Sequence, residues 1–225
     1  MFIKKNKAVI EEVSSYLNQV RHDFSKSKLD EASVEKTPIK QYAKWFEEAV
    51  GAQSLDPKAI VVSTVNNAGC PSSRVVYNRG LKANGIVFYT NYNSIKGGEL
   101  ELNQNASILS YWPELERQVR MQGVVTKLDS EESDAYFASR PRESQIGAWA
   151  SDQSSELKNR QELEEKVTFF TQKFEGKDVP RPPHWGGYLF EVSQAEFWQG
   201  RPSRLHDRVV YNKEGEEWVL KRLSP

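Results

Sequence analysis

Cysteine is nearly absent from this chain of 225 residues: there is one, Cys70, in the turn-like Ala68-Gly69-Cys70-Pro71. One thiol cannot close an internal disulfide or build a Cys-based zinc site, and such sparing use suits a reducing cytosol. Histidine is scarce as well. His22, His184 and His206 lack metal-ligand spacing, which argues against zinc. Excess charge is missing too, since Lys+Arg and Asp+Glu both number 31. That balance argues against nonspecific nucleic-acid binding, which rests on surplus positive charge. No apolar run approaches the length of a membrane span, and Met1-Phe2-Ile3-Lys4-Lys5 lacks the apolar core of a secretory signal. A cytoplasmic protein, neither secreted nor embedded in a membrane, is expected. No Gly-x-Ser-x-Gly elbow, P-loop or dinucleotide fingerprint occurs, which disfavours a serine hydrolase and the common routes to ATP or NAD. No internal repeat or low-complexity segment is found.

What is present reads as short strands with inserted helices. Residues 1–36 are polar, with weak helical spacing at Val9, Val13, Tyr16, Leu17 and Val20, and form an expected N-terminal arm. Residues 37–225 are expected to form a single domain. Thr37 as N-cap, Pro38 in the first turn and the spacing of Ile39, Tyr42, Phe46 and Val50 predict a helix ending near Gly51. Strands are predicted at 59–65, 72–78, 86–91, 106–112, 115–127, 187–192, 195–199, 204–211 and 217–222. Helices are predicted from Ser94 to Leu102, from Asp129 to Arg140, and at 155–174, the last burying Leu163, Val167, Phe170 and Phe174. A proline-rich linker spans 175–183. Strands that follow one another without long helices imply an antiparallel sheet, either a nearly closed barrel or an open α+β sandwich.

Four constellations carry chemistry. In Trp198 to Arg208, a strand after the Gly200-Pro202 turn would place Arg204, His206 and Arg208 on one face, a row suited to an anion and walled by Phe197 and Trp198. Left facing water, the same row would be an ordinary solvated edge. Arg74, Thr90, Ser94 and Lys96 converge where two strands meet a helix N-terminus, a place that favours phosphate. Tyr136, Arg140 and Ser144 form a second possible phosphate clamp, or else a helix end whose Arg caps its own carbonyls. The amides of Gln118 and Gln153 could read the edge of a heteroaromatic ring, though amides are common on solvent-facing strands. With so few nucleophiles or bases, a bound cofactor is expected to supply the reactivity.

Five motifs in this order and spacing resemble the pyridoxine (pyridoxamine) 5′-phosphate oxidase family: Leu115-Glu116-Arg117-Gln118-Val119, Gln145-Ile146-Gly147-Ala148-Trp149, Trp185-Gly186-Gly187, Glu196-Phe197-Trp198-Gln199-Gly200 and Arg204-Leu205-His206-Asp207-Arg208. The closing Arg222-Leu223-Ser224-Pro225 fits as well, and the resemblance covers roughly residues 15–225. It implies a mainly antiparallel FMN-binding split β-barrel and a homodimer with flavin at the interface. It implies oxidation of pyridoxamine or pyridoxine 5′-phosphate to pyridoxal 5′-phosphate, with O2 giving H2O2. By resemblance, Arg74, Val75, Arg79, Tyr89, Thr90, Lys96, Gln118, Gln153, Ser154, Trp198 and Arg208 would contact FMN. Arg21, Arg79, Tyr136, Arg140, Ser144, Arg204, Leu205 and His206 would contact substrate, with Arg204 and His206 in the catalytic position. No metal is implied.

The chain departs from the family pattern at three places. Arg79 stands where a Lys is usual, Ile95 where an Arg commonly precedes Lys96, and Phe24 ends a pattern that usually ends in Tyr. Loss of one charge-assisted contact at position 95, about 1.5–3 kcal/mol, would weaken FMN roughly ten- to a hundredfold. Two alternatives stay open: a relative acting on another heteroaromatic ring such as a phenazine, and a flavin- or pyridoxal-phosphate-binding protein without turnover.

Overall fold

β7 (Trp185–Gln199) runs through the centre of the structure as one strand of 15 residues. The computed structural model describes residues 2–19 and 23–225. Before β7 come α1 (Phe2–Gln19), α2 (Pro38–Gly51), β1 (Ala59–Val65), β2 (Pro71–Tyr77), β3 (Gly80–Lys82), β4 (Gly85–Asn91) and α3 (Ile95–Leu102). These are followed by β5 (Asn105–Trp112), β6 (Arg117–Lys127), α4 (Ser130–Ala138), α5 (Arg142–Ala150) and α6 (Arg160–Lys173). After β7 lie β8 (Asp207–Glu214) and β9 (Glu217–Arg222).

All pairings are antiparallel, in the order β2-β1-β5-β6-β7-β4-β3, with β8 joining β7 and β9 joining β8. The end strands β2 and β3 do not pair, so the sheet is open rather than closed. β6 lines one edge of β7 along its length. The other edge changes partner, from β4 at residues 185–191 to β8 at residues 194–199.

The two strands expected at 187–192 and 195–199 are therefore one. The polar Ser193-Gln194 reads as a turn in sequence, but here the register with β6 slips by one residue between Gln122 and Gly123. A bulge of this kind bends a strand without ending it. The expected strand at 204–211 begins only at Asp207, because Pro202–Arg204 form a 3-10 turn with left-handed backbone at Ser203 and Arg204. The short β3 was not anticipated, and neither was α5, which starts immediately after Pro141. α6 begins at Arg160, later than expected, and buries little: Val167 is 38% exposed, while Phe174, just beyond its end, is buried.

Alternation sets the core. β1 buries every second residue, and β6 does so through Arg117, Val119, Met121, Gly123 and Val125. α2 closes one side of the sheet with Tyr42, Trp45 and Ala49, all at most 2% exposed. Thr37 caps it as expected, accepting from the Lys40 N–H. Phe88, Ile108, Trp112, Phe190, Phe197 and Tyr211 fill the interior, each large apolar side chain adding about 1.5–3 kcal/mol by leaving water. A second cluster of Phe137, Ile146, Phe174, Val179 and Trp185 holds α4, α5 and the start of β7 together. Residues 23–36, which include a 3-10 turn at Glu31–Ser33, are tied down by Glu116 at the Ser25 and Lys26 amides and by Asp207 at the Leu29 amide.

Candidate active site

A cleft of about 440 Å3 opens between β2, β4, α3 and α4, lined by Arg74, Arg79, Tyr89, Thr90, Lys96, Tyr136, Arg140, Gln153 and Trp185, with Val75 at its rim. A smaller cleft of about 290 Å3 adjoins it, lined by Asn91, Ser144, Ser151 and the shared Arg140, Gln153 and Trp185. Two constellations read separately in the sequence, the Arg74-Lys96 group and the Tyr136-Arg140-Ser144 group, are thus continuous.

Lys96 lies in the first turn of α3, whose N-cap Ser94 accepts from the Gly97 N–H. Its ammonium is buried and donates to Thr90 Oγ1 at 3.0 Å, Ser94 Oγ at 3.2 Å and Gln153 Oε1 at 2.7 Å. All three acceptors are neutral. Burial first, and the Arg74 charge second, push its pKa down to about 8. Arg74 is held from behind: Nη1 donates to Thr64 Oγ1 and Nη2 to Ser72 Oγ, with Glu99 beyond them.

Arg140 follows the end of α4 with its guanidinium 4.5 Å from the Trp185 ring centroid and 5.5 Å from that of Phe137. Its Nη1 is buried with no hydrogen-bond partner among the described residues. Burial and the nearby Arg79 weaken its hold on its proton. A guanidinium with a buried, unpaired nitrogen is costly and calls for an anion. The wall beneath it is a parallel stack: Tyr89 and Tyr136 are 3.7 Å apart at 11°, and Tyr89 and Trp185 are 5.5 Å apart at 13°. Burial, with Glu132 nearby, pushes the Tyr89 phenol up to about 12, so it stays protonated.

Trp185 was recognised in the sequence only as part of a motif, not as a site residue. The signal was the glycine pair after it. A Cβ at Gly187 would lie 2.8 Å from the Tyr89 ring and 2.5 Å from Leu128, so only glycine lets the strand come this close to the stack. Ser144, expected in a loop, lies in the first turn of α5. Ser154, next to Gln153, has left-handed backbone and is exposed.

The remaining expected residues lie elsewhere. Gln118, Trp198 and Arg208 stand side by side across β6, β7 and β8. Trp198 is thirteen residues along β7 from Trp185, about 40 Å of extended strand. Arg208 makes a two-point contact with Glu196, at 3.2 and 2.8 Å, and Arg120 shares that carboxylate. Arg204, exposed Leu205 and His206 occupy the turn after β7 rather than a strand, so the expected Arg-His-Arg face does not form. His206 Nδ1 accepts from the Arg201 N–H at 3.1 Å, which leaves the neutral ring's proton on Nε2. The ring lies 4.6 Å from Trp198 and 5.4 Å from Phe24. Burial and Arg204 lower its pKa against the opposing pull of Asp23. Arg21 falls outside the described residues. Among the described residues no cluster of His, Cys, Asp or Glu could hold a metal ion, and no helix is long and apolar enough to cross a membrane.

Residues 46–173 match the family described as pyridoxamine 5′-phosphate oxidase, and residues 185–225 match the pyridoxine 5′-phosphate oxidase C-terminal dimerisation region. The chain is 47% identical over 211 residues to a pyridoxine/pyridoxamine 5′-phosphate oxidase from Cytophaga hutchinsonii, spanning 93% of this chain and 98% of that one. It is 48% identical over 206 residues to the protein of the same name from Rubrobacter xylanophilus, spanning 92% and 95%. Among solved structures, PhzG from Burkholderia lata 383 in complex with tetrahydrophenazine-1-carboxylic acid superposes with a TM-score of 0.85 at 30% identity, covering 91% of this chain and 100% of that one. A pyridoxamine 5′-phosphate oxidase-related, FMN binding protein from Nostoc punctiforme shares the fold with a TM-score of 0.67 at 18% identity, covering 84% and 98%. The open antiparallel sheet is thus the split barrel of these neighbours, and with near-half identity to curated relatives over almost its whole length, the chain belongs to the pyridoxamine 5′-phosphate oxidase family.

Proposed function

We propose that the protein oxidises pyridoxamine 5′-phosphate and pyridoxine 5′-phosphate to pyridoxal 5′-phosphate, with O2 as electron acceptor and H2O2 as by-product. The observation that carries this reading is the buried, unpartnered Nη1 of Arg140 between the two clefts, close to a second cationic group built on Lys96 and Arg74. One grip suits the phosphate of the cofactor and the other that of the substrate.

The enzyme is an oxidoreductase whose cofactor is FMN. The residues present fit it: a buried ammonium with only neutral acceptors, an adjoining guanidinium, and a cleft walled by stacked aromatic rings. When bound, FMN supplies a two-electron acceptor that takes hydride from the substrate carbon and is restored by O2. Lys96 and Arg74 would hold its phosphate, with Tyr89, Thr90 and Gln153 beside them. Tyr136, Arg140 and Ser144 would hold the substrate phosphate and fix the position of the ring, which is where most of the rate gain from the protein lies. With the amine substrate, water is consumed and ammonia released; with the alcohol, neither is required.

Arg204 and His206 follow one end of β7, whereas Arg140 rests on Trp185 at the other. The match of residues 185–225 to a dimerisation region supports a homodimer, and a two-fold pairing would bring Trp198, Arg204, His206 and Arg208 of a second copy over the cleft of the first. There Arg204 and the neutral His206, donating through Nε2, would orient the amine or alcohol.

The test is formation of pyridoxal 5′-phosphate and H2O2 from pyridoxamine 5′-phosphate, with and without added FMN. Both products in equal amounts are expected. No product from a flavin-loaded protein would overturn the reading, and turnover only of an unphosphorylated heteroaromatic acid would move it toward the chemistry of the PhzG-like neighbour. His206→Asn retaining most turnover with normal substrate binding would exclude His206 as an obligatory base.

A further inference from the structure

Glu99 lies on α3, one turn after Lys96, and is 8% exposed, an unusual place for a carboxylate beside an anion site. Its Oε2 accepts a short hydrogen bond from Thr64 Oγ1, and Ser72 Oγ lies 3.1 and 3.0 Å from its two oxygens. The same two hydroxyls accept from Arg74, Thr64 from Nη1 at 2.5 Å and Ser72 from Nη2 at 2.6 Å. Arg74 Nη2 itself reaches Glu99 Oε2 only at 3.5 Å.

Proton bookkeeping makes this arrangement directional. A guanidinium only donates and a carboxylate only accepts. Each hydroxyl owns one hydrogen. That hydrogen must point to Glu99, so both hydroxyl lone pairs face Arg74, and the guanidinium is locked in one plane against the wall of the cleft. A glutamine at 99 would turn an NH2 toward one of these hydroxyls. That hydroxyl is Ser72, which can still give its hydrogen to the amide oxygen in the Oε2 place, so what is lost is the negative charge that draws both hydrogens, and the guanidinium is held less tightly. Ile95, 61% exposed beside Lys96, contributes no charge here, so the phosphate grip depends on Arg74 being held.

We propose that Glu99 is a positioning residue for cofactor binding: through Thr64 and Ser72 it fixes Arg74 toward the phosphate of FMN, and so strengthens binding of an anion despite its own negative charge. This inference rests on the reading that the FMN phosphate lies at Arg74 and Lys96.

The experiment is fluorescence titration of flavin-stripped protein with FMN and, separately, with riboflavin, which lacks the phosphate. In Glu99→Gln the Kd for FMN rises about tenfold, while that for riboflavin is unchanged. Ser72→Ala, which leaves α3 intact and serves if Glu99→Gln fails to fold, weakens FMN in the same selective way. The double variant is little worse than Glu99→Gln alone, because the residues act as one unit. FMN bound by Glu99→Gln as tightly as by the unaltered protein, or more tightly, overturns the proposal and leaves Glu99 as a like charge opposing the phosphate. Equal loss of FMN and riboflavin also overturns it, by showing a general structural role. An unaltered protein that does not prefer FMN to riboflavin overturns the underlying phosphate assignment, and the role of Glu99 with it.

Discussion

Lys96 Nζ and Gln153 Oε1 meet at 2.7 Å, joining the N-terminal turn of α3 to the segment after α5 with an ammonium that has no carboxylate among its acceptors. Its pKa of about 8, lowered by burial first and then by Arg74 on β2, with Glu99 on α3 raising it, means the charge is lost within the range of ordinary assays. The protonated form is the one that attracts phosphate, so binding FMN raises this pKa and takes up a proton. FMN affinity should therefore be nearly constant from about pH 6.5 to 7 and fall as pH rises through 8, approaching tenfold per unit. The phosphate itself is already dianionic there, with a second pKa of about 6. Titration of stripped protein from pH 6.5 to 9.5 checks this, and a flat Kd would sink it.

Removing Arg140 should separate stability from binding. Its half-buried guanidinium, with Nη1 unpartnered among the described residues, is a burden to the ligand-free chain. Arg140→Met should leave the melting temperature of stripped protein unchanged or higher. Loss of about 3 kcal/mol of charge-assisted contact should raise KM for a phosphorylated substrate on the order of a hundredfold. A melting temperature that drops together with activity would show Arg140 to be structural.

Adjacent glycines in α3 should respond in opposite ways to alanine. A Cβ at Gly97 would lie 1.9 Å from the Tyr92 carbonyl oxygen, whereas one at Gly98 meets nothing within 4 Å. Gly97→Ala must push α3 and Lys96 off the cleft, lowering both thermal stability and FMN affinity. Gly98→Ala should stabilise by up to about 1 kcal/mol through helix propensity and leave FMN binding intact. Paired melting curves and FMN titrations decide it.

Phe24 covers the turn that carries His206. It packs edge-on to Trp198 at 5.6 Å and to His206 at 5.4 Å, in a space that a Cβ on Gly200 would enter. Phe24→Ala should hydrate the imidazole and raise its pKa, because burial is the leading cause of its depression. The His206 ring resonances followed by NMR against pH should move to a higher midpoint; no change would assign the depression to Arg204 instead.

Local signals were readable in sequence where the chemistry is local. Thr37-Pro38 marks the start of α2, Ser94 caps α3 and Asp129 caps α4, because a cap needs only the residues within one turn of it. The grouping of Thr90, Ser94 and Lys96 was legible for the same reason, since β4 runs directly into the start of α3, whereas Arg74 comes from β2, which does not pair with β4. The continuity of β7 through Ser193 was not, since a bulge is dictated by the register of its partner β6. Neither was the 3-10 turn at Pro202–Arg204, where the Ser203 amide is held by Asp23 from a distant part of the chain. Glu99 escaped notice because its partners Thr64 and Ser72 come from two other elements, and a lone Glu on a short helix ordinarily faces water.

The length of β7 has a genetic consequence. One end carries Trp185 beneath Arg140, and the other carries Trp198 beside Arg208. In the proposed pairing each catalytic centre draws its phosphate grip from one polypeptide and its Arg204–His206 cover from the other. Two inactive alleles, one damaged at Lys96 and one at Arg204, would then complement when expressed together: half of the centres in a mixed dimer inherit both lesions, and the other half inherit none.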